Sequence, residues 1–268
     1  MQSIDAALFM FAPLMALLFL GVPVAFALIT VAAVFGLWHF GDTVVHLFVG
    51  KVQEIAASHA LAAAPLFVFM GAMLERSGTA ERLFEVIHMW TRRLPGGLAV
   101  GTIIMCVLFA ASSGVVGATE TVVGMLAIPV MLRHGYDKGL ISGTICAGGS
   151  LGSIIPPSVL VVILSLIAEI GIGDMFAGML FPGLMLAGLY VLYILIRCGV
   201  DPKIAPRVSE ADDTMPLGAK LRLTLVALLP PIALIFLVLG TILGGMAVPT
   251  EAASMGAVGA VVLTLLYR

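Results

Sequence analysis

Long uncharged stretches dominate the chain, and they alternate with short segments that contain most of the charged residues. Because about 20 apolar residues span a bilayer as a helix, this pattern predicts a bundle of membrane helices. The stretch from Ala6 to Trp38 is too long, and too poor in preceding Lys and Arg, for a cleaved signal peptide, so we expect a retained first helix. The uncharged stretches lie near residues 6–36, 58–74, 98–119, 121–132, 139–168, 175–196, 223–250 and 252–267.

Composition supports an all-α membrane protein and narrows the chemistry. Of 268 residues, 61% are hydrophobic and 10% are charged, and the mean hydropathy is +1.19. The apolar residues do not alternate with polar ones as in a membrane β-barrel. A net charge of −2 gives no nucleic-acid footprint. The three cysteines and five histidines show no metal-binding spacing, so these residues indicate no metal site and no metal catalysis.

The basic residues predict the orientation of the chain. Under the positive-inside rule, the loops that contain clusters of basic residues are predicted to be cytoplasmic, as is the N-terminus of this multi-pass membrane protein. The connections near 37–57, 169–174 and 244–248 then lie outside. The cytoplasmic clusters are Arg76, Arg82, Arg92 and Arg93; Arg133 and Lys138; and Arg197, Lys203, Arg207, Lys220 and Arg222.

The segment between the first two basic clusters has a length that fits neither one membrane crossing nor two. Its apolar part, residues 98–132, starts and ends on the cytoplasmic side. Two crossings of about 20 residues and a turn would need more, so we predict a re-entrant hairpin. Its tip is predicted at residues 111–120, where Ser112, Ser113, Gly114 and Gly117 would interrupt the helix.

The next segment, residues 137–168, is predicted to cross the membrane once as a broken helix. We expect Gly148–Ile155 to be unwound, with Pro156 or Pro157 in the first turn of a second half-helix. Half-helix N-termini attract anions, and freed carbonyls attract cations, so two such breaks at mid-membrane indicate a secondary transporter. For the pair Gly148 and Gly152 alone, close helix packing is the competing explanation.

Four stretches resemble the large membrane subunit of the tripartite ATP-independent periplasmic (TRAP) transporters. The resemblance covers nearly the whole chain and implies an elevator-type carrier. It further implies sodium as the coupling ion with no other cofactor, uptake of organic acids, a small membrane subunit, and a periplasmic substrate-binding protein. The stretches are MGAMLERSG (70–78), SGVVGATETVVGMLAIPVMLRHGYDKGLISGTICAGGSLGSIIPPS (113–158), FAGMLFPGL (176–184) and VPTEAASMGAVGA (248–260).

The resemblance also implies site residues. Many family members have Ser-Gly-Ser-Ser at the hairpin tip, whereas this sequence has Ser-Gly-Val-Val at 113–116, so two hydroxyls are missing. Backbone carbonyls must then contribute more to any cation site. The implied sodium-binding residues are Ser112, Ser113, Gly114, Gly152, Ile155 and Pro157. The implied substrate-binding residues are Ser113, Gly149, Ser150, Ser158 and Glu120.

The family architecture has two inverted repeats, and this sequence contains one hairpin and one Gly–Pro-broken crossing. Pro230–Pro231 lacks a glycine-rich partner, and Pro249–Thr250–Glu251 is typical of a helix start, with Thr250 as N-cap. We therefore expect half a site here and the remaining C-terminal part of the large subunit as its partner. The predicted divisions are 1–97 (scaffold helices with an interfacial amphipathic helix at 79–97), 98–174 (half transport domain) and 175–268 (scaffold, connectors and the start of the next repeat).

Glu120 is a carboxylate within a segment that is predicted to lie in the membrane, and it is the most distinctive single residue of the sequence. An intramembrane carboxylate is a functional candidate by default, although a negative charge near the start of a helix also complements the helix dipole. A self-sufficient sodium/dicarboxylate elevator carrier is the main alternative function. An intramembrane hydrolase is a distant one, because no His or Asp pair lies in the apolar helices. The sequence contains no Gly-x-x-x-x-Gly-Lys-[Ser/Thr] loop, which is the motif that would indicate an ATP-driven pump.

Overall fold

The computed structural model describes residues 3–114, 116–206 and 216–267, and within these ranges the chain forms twelve α-helices, one 3-10 turn and no strand. This confirms the predicted all-α membrane fold. Three helices are long and apolar enough to cross a membrane, and one bent pair could make a fourth crossing. The helices are α1 (Ser3–Phe19), α2 (Val24–Phe40), α3 (Thr43–Ala56), α4 (Ala63–Arg76), α5 (Thr79–Thr91), α6 (Gly97–Ser113), α7 (Val116–Arg133), α8 (Lys138–Ile154), α9 (Val159–Ala168), α10 (Ile172–Val200), α11 (Leu217–Leu243) and α12 (Pro249–Tyr267).

The chain divides into two compact units, one ending at Ser58 and one beginning at His59. The first unit contains α1, α2 and α3. The predicted single helix from Ala6 to Trp38 is wrong, because α1 ends at Phe19 and α2 begins at Val24. Gly21 has a φ of +80°, a left-handed conformation that suits glycine. Pro23, which has no N–H to donate, then precedes α2.

The second unit contains the predicted hairpin, formed by α6 and α7. These helices have 17 and 18 residues, about 26 Å each, which is less than the ~30 Å of a bilayer core. The tip is narrower than predicted: Ser112, Ser113 and Gly117 are helical, and only positions 114 and 115 separate the helices. Gly114 ends α6 with a φ of +62°. Val115 and the side chain of Ser113 lie outside the described residues, as does Arg207 of the third basic cluster.

The broken crossing is formed by α8 and α9, which are bent by 43°. The predicted unwinding of Gly148–Ile155 is wrong, because α8 continues to Ile154 and the break comprises residues 155–158. Neither proline lies in the first turn of the second half-helix, since Ser158 is the N-cap of α9. Gly148 and Gly149 are helical, and side chains of neighbouring helices occupy the space where their own side chains would project. A Cβ at Gly148 would lie 2.5 Å from Cys106 Sγ of α6, so helix packing is the correct explanation for this position.

The remaining long helices are continuous. Pro230 and Pro231 lie inside α11 without breaking it, as expected from the lack of a glycine-rich partner. The prediction of Thr250 as N-cap is wrong, because α12 already begins at Pro249. The Glu251 carboxylate instead accepts a hydrogen bond of 3.2 Å from the Val248 N–H, an arrangement that caps a helix whose first position is proline.

The amphipathic segment predicted at 79–97 contains α5, and its apolar side faces the protein. Leu83, Val86 and Ile87 are buried. Trp90 is half exposed, and its Nε1–H donates a 2.9 Å hydrogen bond to Thr224 Oγ1 of α11. The location of α5 at the membrane surface stays a prediction.

Two apolar cores hold the second unit together. One joins α5, the hairpin, α8 and α10, and the other joins α4, α9, α10, α11 and α12. The hairpin and α8 thus belong to one core, whereas α9 belongs to the other. The break between α8 and α9 lies where the chain passes from one core to the next.

Candidate ion and anion site at the hairpin tip

The hairpin tip contacts the break in the crossing helix. The Val159 N–H at the start of α9 donates a hydrogen bond of 3.4 Å to the carbonyl oxygen of Gly114. A Cβ added to Gly114 would overlap the carbonyl oxygen of Pro157 and lie 3.3 Å from the Cα of Ser158. Only glycine therefore allows this approach of two backbones. We call the contact of Gly114 with residues 157–159 the junction.

The C-terminal end of α8 presents carbonyl oxygens that lack helical donors. In an α-helix, each carbonyl accepts from the N–H four residues later. The donors for Gly152 and Ser153 would be residues 156 and 157, which are both prolines without an N–H. The Ile155 N–H closes the last bond, to Leu151 at 2.8 Å. Free carbonyls at the negative end of a helix dipole suit a hard cation such as sodium.

The N-terminal end of α9 presents the opposite polarity. Ser158 is its N-cap, yet the side chain makes no capping hydrogen bond. The side chain is fully buried, and its Oγ has no hydrogen-bond partner among the described residues. A buried hydroxyl without a partner costs free energy, and the first N–H groups of a helix attract anions. This end of the break can therefore donate hydrogen bonds to an anionic ligand.

Ser112 and Ser150 of the predicted site are placed differently from Ser158. The Ser112 Oγ–H donates to the carbonyl of Phe109 at 2.9 Å, and the Ser150 Oγ–H donates to that of Ala147 at 2.7 Å. Both hydroxyls thus bond to the backbone of their own helix. Their oxygens keep lone pairs for a cation, but their protons are already in use.

Glu120 and Gly149 meet between α7 and α8. A Cβ at Gly149 would overlap the Glu120 side chain, so the glycine makes room for the carboxylate stem. Glu120 is partly buried and also borders a shallow apolar pocket with Gly124 and Ile145. The structure therefore brings the predicted residues together in two groups. Gly114, Pro157 and Ser158 meet at the junction, and Glu120 and Gly149 pair alongside it on the hairpin and α8.

Two functional groups were missed by reasoning from the sequence. The carbonyl of Ser153 is free for the same reason as that of Gly152, and the proline four residues later was the available signal. No feature of the sequence predicts the hydrogen bond from the Val159 N–H to Gly114, because the contact joins segments 45 residues apart in sequence. Only the packed structure shows which backbone group meets the tip.

Comparisons with known proteins agree with this architecture. The family model described as "Tripartite ATP-independent periplasmic transporter, DctM component" matches residues 11–268. The C4-dicarboxylate TRAP transporter large permease protein DctM of Vibrio cholerae is 32% identical over 253 residues, which are 94% of this chain and 54% of that protein. The DctM protein of Pseudomonas aeruginosa is 36% identical over 221 residues, 81% of this chain and 50% of that protein.

A third relative is named for a different substrate. The ectoine/5-hydroxyectoine TRAP transporter large permease protein UehC of Ruegeria pomeroyi is 30% identical over 262 residues, which are 96% of this chain and 58% of that protein. The chain thus spans about half the length of the curated relatives it matches. These relatives are transporter permeases and not enzymes. With its hairpin, its broken helix and this match over nearly all its residues, the chain belongs to the family of TRAP transporter large permease components.

Proposed function

We propose that the chain is part of the membrane subunit of a sodium-coupled secondary transporter, which imports a small organic anion delivered by a periplasmic binding protein. The observation that carries this proposal is the junction. Free carbonyls at the end of α8 and an unpartnered buried hydroxyl at the start of α9 lie on either side of one break, against the tip of a hairpin. Cation-attracting and anion-attracting groups therefore occur in the same short segment.

The proposed sodium ligands are backbone carbonyls of the break, with the hairpin tip beside them. A bound sodium ion would supply positive charge and oxygen-to-metal bonds. The Gly114 carbonyl oxygen already accepts a hydrogen bond from the Val159 N–H, which leaves it one lone pair for a cation. The break itself therefore supplies most of the oxygen ligands. The proposed set is Ser112, Ser113, Gly114, Gly152, Ile155 and Pro157, and the structure adds the carbonyl of Ser153.

Among the proposed substrate-binding residues, Ser158 can donate a hydrogen bond to a carboxylate. Ser158 is the strongest candidate because its hydroxyl is buried and has no partner among the described residues, and because it occupies the N-cap position of a helix whose N-terminal N–H groups favour negative charge. Glu120 would accept from a hydroxyl or ammonium group of the substrate. Gly149, Ser150 and Ser113 complete the proposed set. A relative named for C4-dicarboxylates supports an acid as the substrate class.

Membership of the family supports the partners and the location that we propose. We place the protein in the bacterial inner membrane, with its N-terminus in the cytoplasm and its basic loops on that side. We expect it to work with a small membrane subunit, with a periplasmic binding protein, and with a second repeat that contributes the other half of the site. Movement of the hairpin and the broken helix together, as in an elevator, is part of this proposal.

Uptake by proteoliposomes tests the proposal. The intact subunit is reconstituted with its small partner, and uptake of a C4-dicarboxylate is measured with and without sodium and a cognate binding protein. We expect uptake to require both. Gly152→Leu should abolish uptake, whereas Gly178→Leu, at a position with open space around it, should not. Uptake by the Glu120→Gln variant shows whether the Glu120 carboxylate contributes to transport.

Three outcomes would contradict the proposal or part of it. Uptake without a binding protein would favour a self-sufficient sodium/dicarboxylate carrier. Uptake that is independent of sodium would remove the ion site. Normal transport by well-folded Gly152→Leu would show that the end of α8 is not part of the binding site.

A further inference from the structure

A second cavity lies away from the junction, on the outer side of α8. Its volume is about 700 Å³, and α6, α8, α10 and the segment after α10 enclose it. Most of its surface is apolar. Among the residues that line the cavity, Asp137 precedes α8, Gly143 and Thr144 lie on α8, and Arg197 lies on α10.

The cavity is a groove with one charged end. On α8 it is lined by Leu140, Gly143 and Ala147, which lie on one face at helical spacing. From Asp137 to Ala147 the groove is about 15 Å long. Asp137 precedes α8 and Arg197 lies in the last turn of α10, so both charges are at the same end. The rest of the groove runs from this end towards the middle of the helices.

The charged groups at this end of the groove are available to bind a ligand. Among the described residues, neither Asp137 nor Arg197 belongs to an ion pair. One carboxylate oxygen of Asp137 accepts from the Leu140 N–H at 3.1 Å as the α8 cap, which leaves the other oxygen available. Deeper in the groove, Thr144 is 4% exposed, and its Oγ1 has no hydrogen-bond partner among the described residues. A buried hydroxyl on a cavity wall can donate a hydrogen bond to a ligand or to a water in the cavity.

We propose that this groove binds one phospholipid whose headgroup contains both a phosphate and an ammonium group. The helices that form the groove are apolar, and in a bilayer hydrocarbon is the solvent that would fill an open apolar groove. One acyl chain lies along Gly143 and Ala147. The phosphate pairs with the Arg197 guanidinium, and the ammonium pairs with the Asp137 carboxylate. The Thr144 hydroxyl donates to an ester carbonyl of the lipid.

Charge complementarity sets the preference among lipids. Basic pockets between membrane helices on the cytoplasmic side bind lipid headgroups, and Arg197 alone would accept any phosphate. Asp137 changes the preference, because its carboxylate attracts an ammonium group and repels a purely anionic headgroup. Phosphatidylethanolamine should therefore bind more tightly than phosphatidylglycerol. This preference separates the groove from ordinary solvation by bulk lipid.

Native mass spectrometry of the intact protein, purified from its membrane in mild detergent, tests the charges. The probes are phosphatidylethanolamine and phosphatidylglycerol with identical acyl chains. Arg197→Gln should weaken both about five- to tenfold. Asp137→Asn should abolish the preference for ethanolamine without loss of fold, because Asn caps a helix as well as Asp does. A wild-type preference for phosphatidylglycerol, or no effect of Asp137→Asn on the preference, overturns the proposal.

A steric pair of variants tests the acyl chain. Gly143 and Gly188 both have open space where a side chain would project, but only Gly143 lines the groove. Gly143→Leu should remove the bound lipid, and Gly188→Leu should retain it. Equal lipid binding by the two variants would refute the groove. If no lipid co-purifies with the wild type and Gly143→Leu prevents assembly of the intact protein, another polypeptide segment fills the groove and the proposal is wrong.

Discussion

At the scale of the single residue, Gly114 permits the contact between the hairpin and the broken helix. Gly114→Ala should lower the free energy of unfolding by more than about 2 kcal/mol. The left-handed conformation alone costs an alanine about 1–2 kcal/mol, and the added Cβ would also overlap the Pro157 carbonyl. The melting temperature of the purified protein measures the effect, and sodium-dependent uptake should be lost as well.

Two other glycines distinguish the two causes of the stability loss in Gly114→Ala, which are the left-handed conformation and the overlap of the added Cβ. Gly245 has a φ of +65° but open space around it, and Gly117 is helical with open space around it. Gly245→Ala should show the cost of the conformation alone. Gly117→Ala should be neutral, or stabilising by about 0.5–1 kcal/mol. A Gly114→Ala variant no less stable than Gly245→Ala would mean that the close approach at the junction does not form.

Ser158 gives a prediction in which stability and activity change in opposite directions. Its buried Oγ has no hydrogen-bond partner in the described part of the chain, so Ser158→Ala removes an unsatisfied group that costs about 1–3 kcal/mol. The variant should be at least as stable as the wild type, and its uptake should be reduced because the hydroxyl no longer binds the substrate. Parallel measurements of melting temperature and uptake distinguish the roles. A loss of stability with normal affinity would make the hydroxyl structural.

The sequence predicted the residue types of the site better than their conformations. Pro156, Pro157 and Gly114 indicated that the helices would be interrupted nearby, because their backbone limits are intrinsic to the residue. The unwound part of the crossing was nevertheless predicted at Gly148–Ile155, whereas the break comprises residues 155–158. The helical state of Gly148 and Gly149 was not predictable in this way. Those glycines are required by Cys106 and Glu120 of the hairpin, and no local pattern shows which side chains a distant helix will present.

At the scale of the element, the α8–α9 pair is a helix interrupted by its two prolines. The double variant Pro156→Ala and Pro157→Ala restores two N–H donors, so the carbonyls of Gly152 and Ser153 can pair again. We expect a more continuous helix, and we expect the stabilisation of the protein by sodium to be lost. Melting temperatures with sodium and with choline as the replacement cation measure this.

A matched pair of prolines provides the control for that experiment. Pro230 and Pro231 lie inside α11, which is unbroken. The double variant Pro230→Ala and Pro231→Ala also restores helical donors, but away from the junction. It should retain the sodium effect. If both double variants respond to sodium like the wild type, the carbonyls of Gly152 and Ser153 are not ligands.

The hairpin was predictable as an element because membrane thickness limits helix length, and the broken helix was predictable because it contains glycines and prolines. The residues between Arg93 and Arg133 could not form two full crossings, and the structure has two short helices there. The break within Ala6–Trp38 has comparable local signals in Gly21 and Pro23. Apolar character continues through that turn, and it therefore hid the boundary between α1 and α2.

At the scale of the whole molecule, the orientation in the membrane is open to a direct test. The distribution of Lys and Arg predicts that Lys138 faces the cytoplasm and Glu169 faces the periplasm. Single cysteines at these positions, Lys138→Cys and Glu169→Cys, should react with a membrane-impermeant maleimide from opposite sides. Cys146 is exposed, whereas Cys106 and Cys198 are buried, so Cys146→Ser supplies the background. Labelling of both positions from the same side would refute a single crossing by α8 and α9.

The pairing of Glu120 with Gly149 also constrains how the family can diverge. The two residues share one volume, since the Glu120 side chain occupies the place of any side chain at 149. A relative with a larger residue at the position of Gly149 must therefore have a smaller one at that of Glu120. These two positions should covary in an alignment of the family, and a Gly149→Ala defect should be rescued by Glu120→Ala. During evolution, a larger side chain at position 149 would thus be accompanied by loss of the carboxylate at position 120.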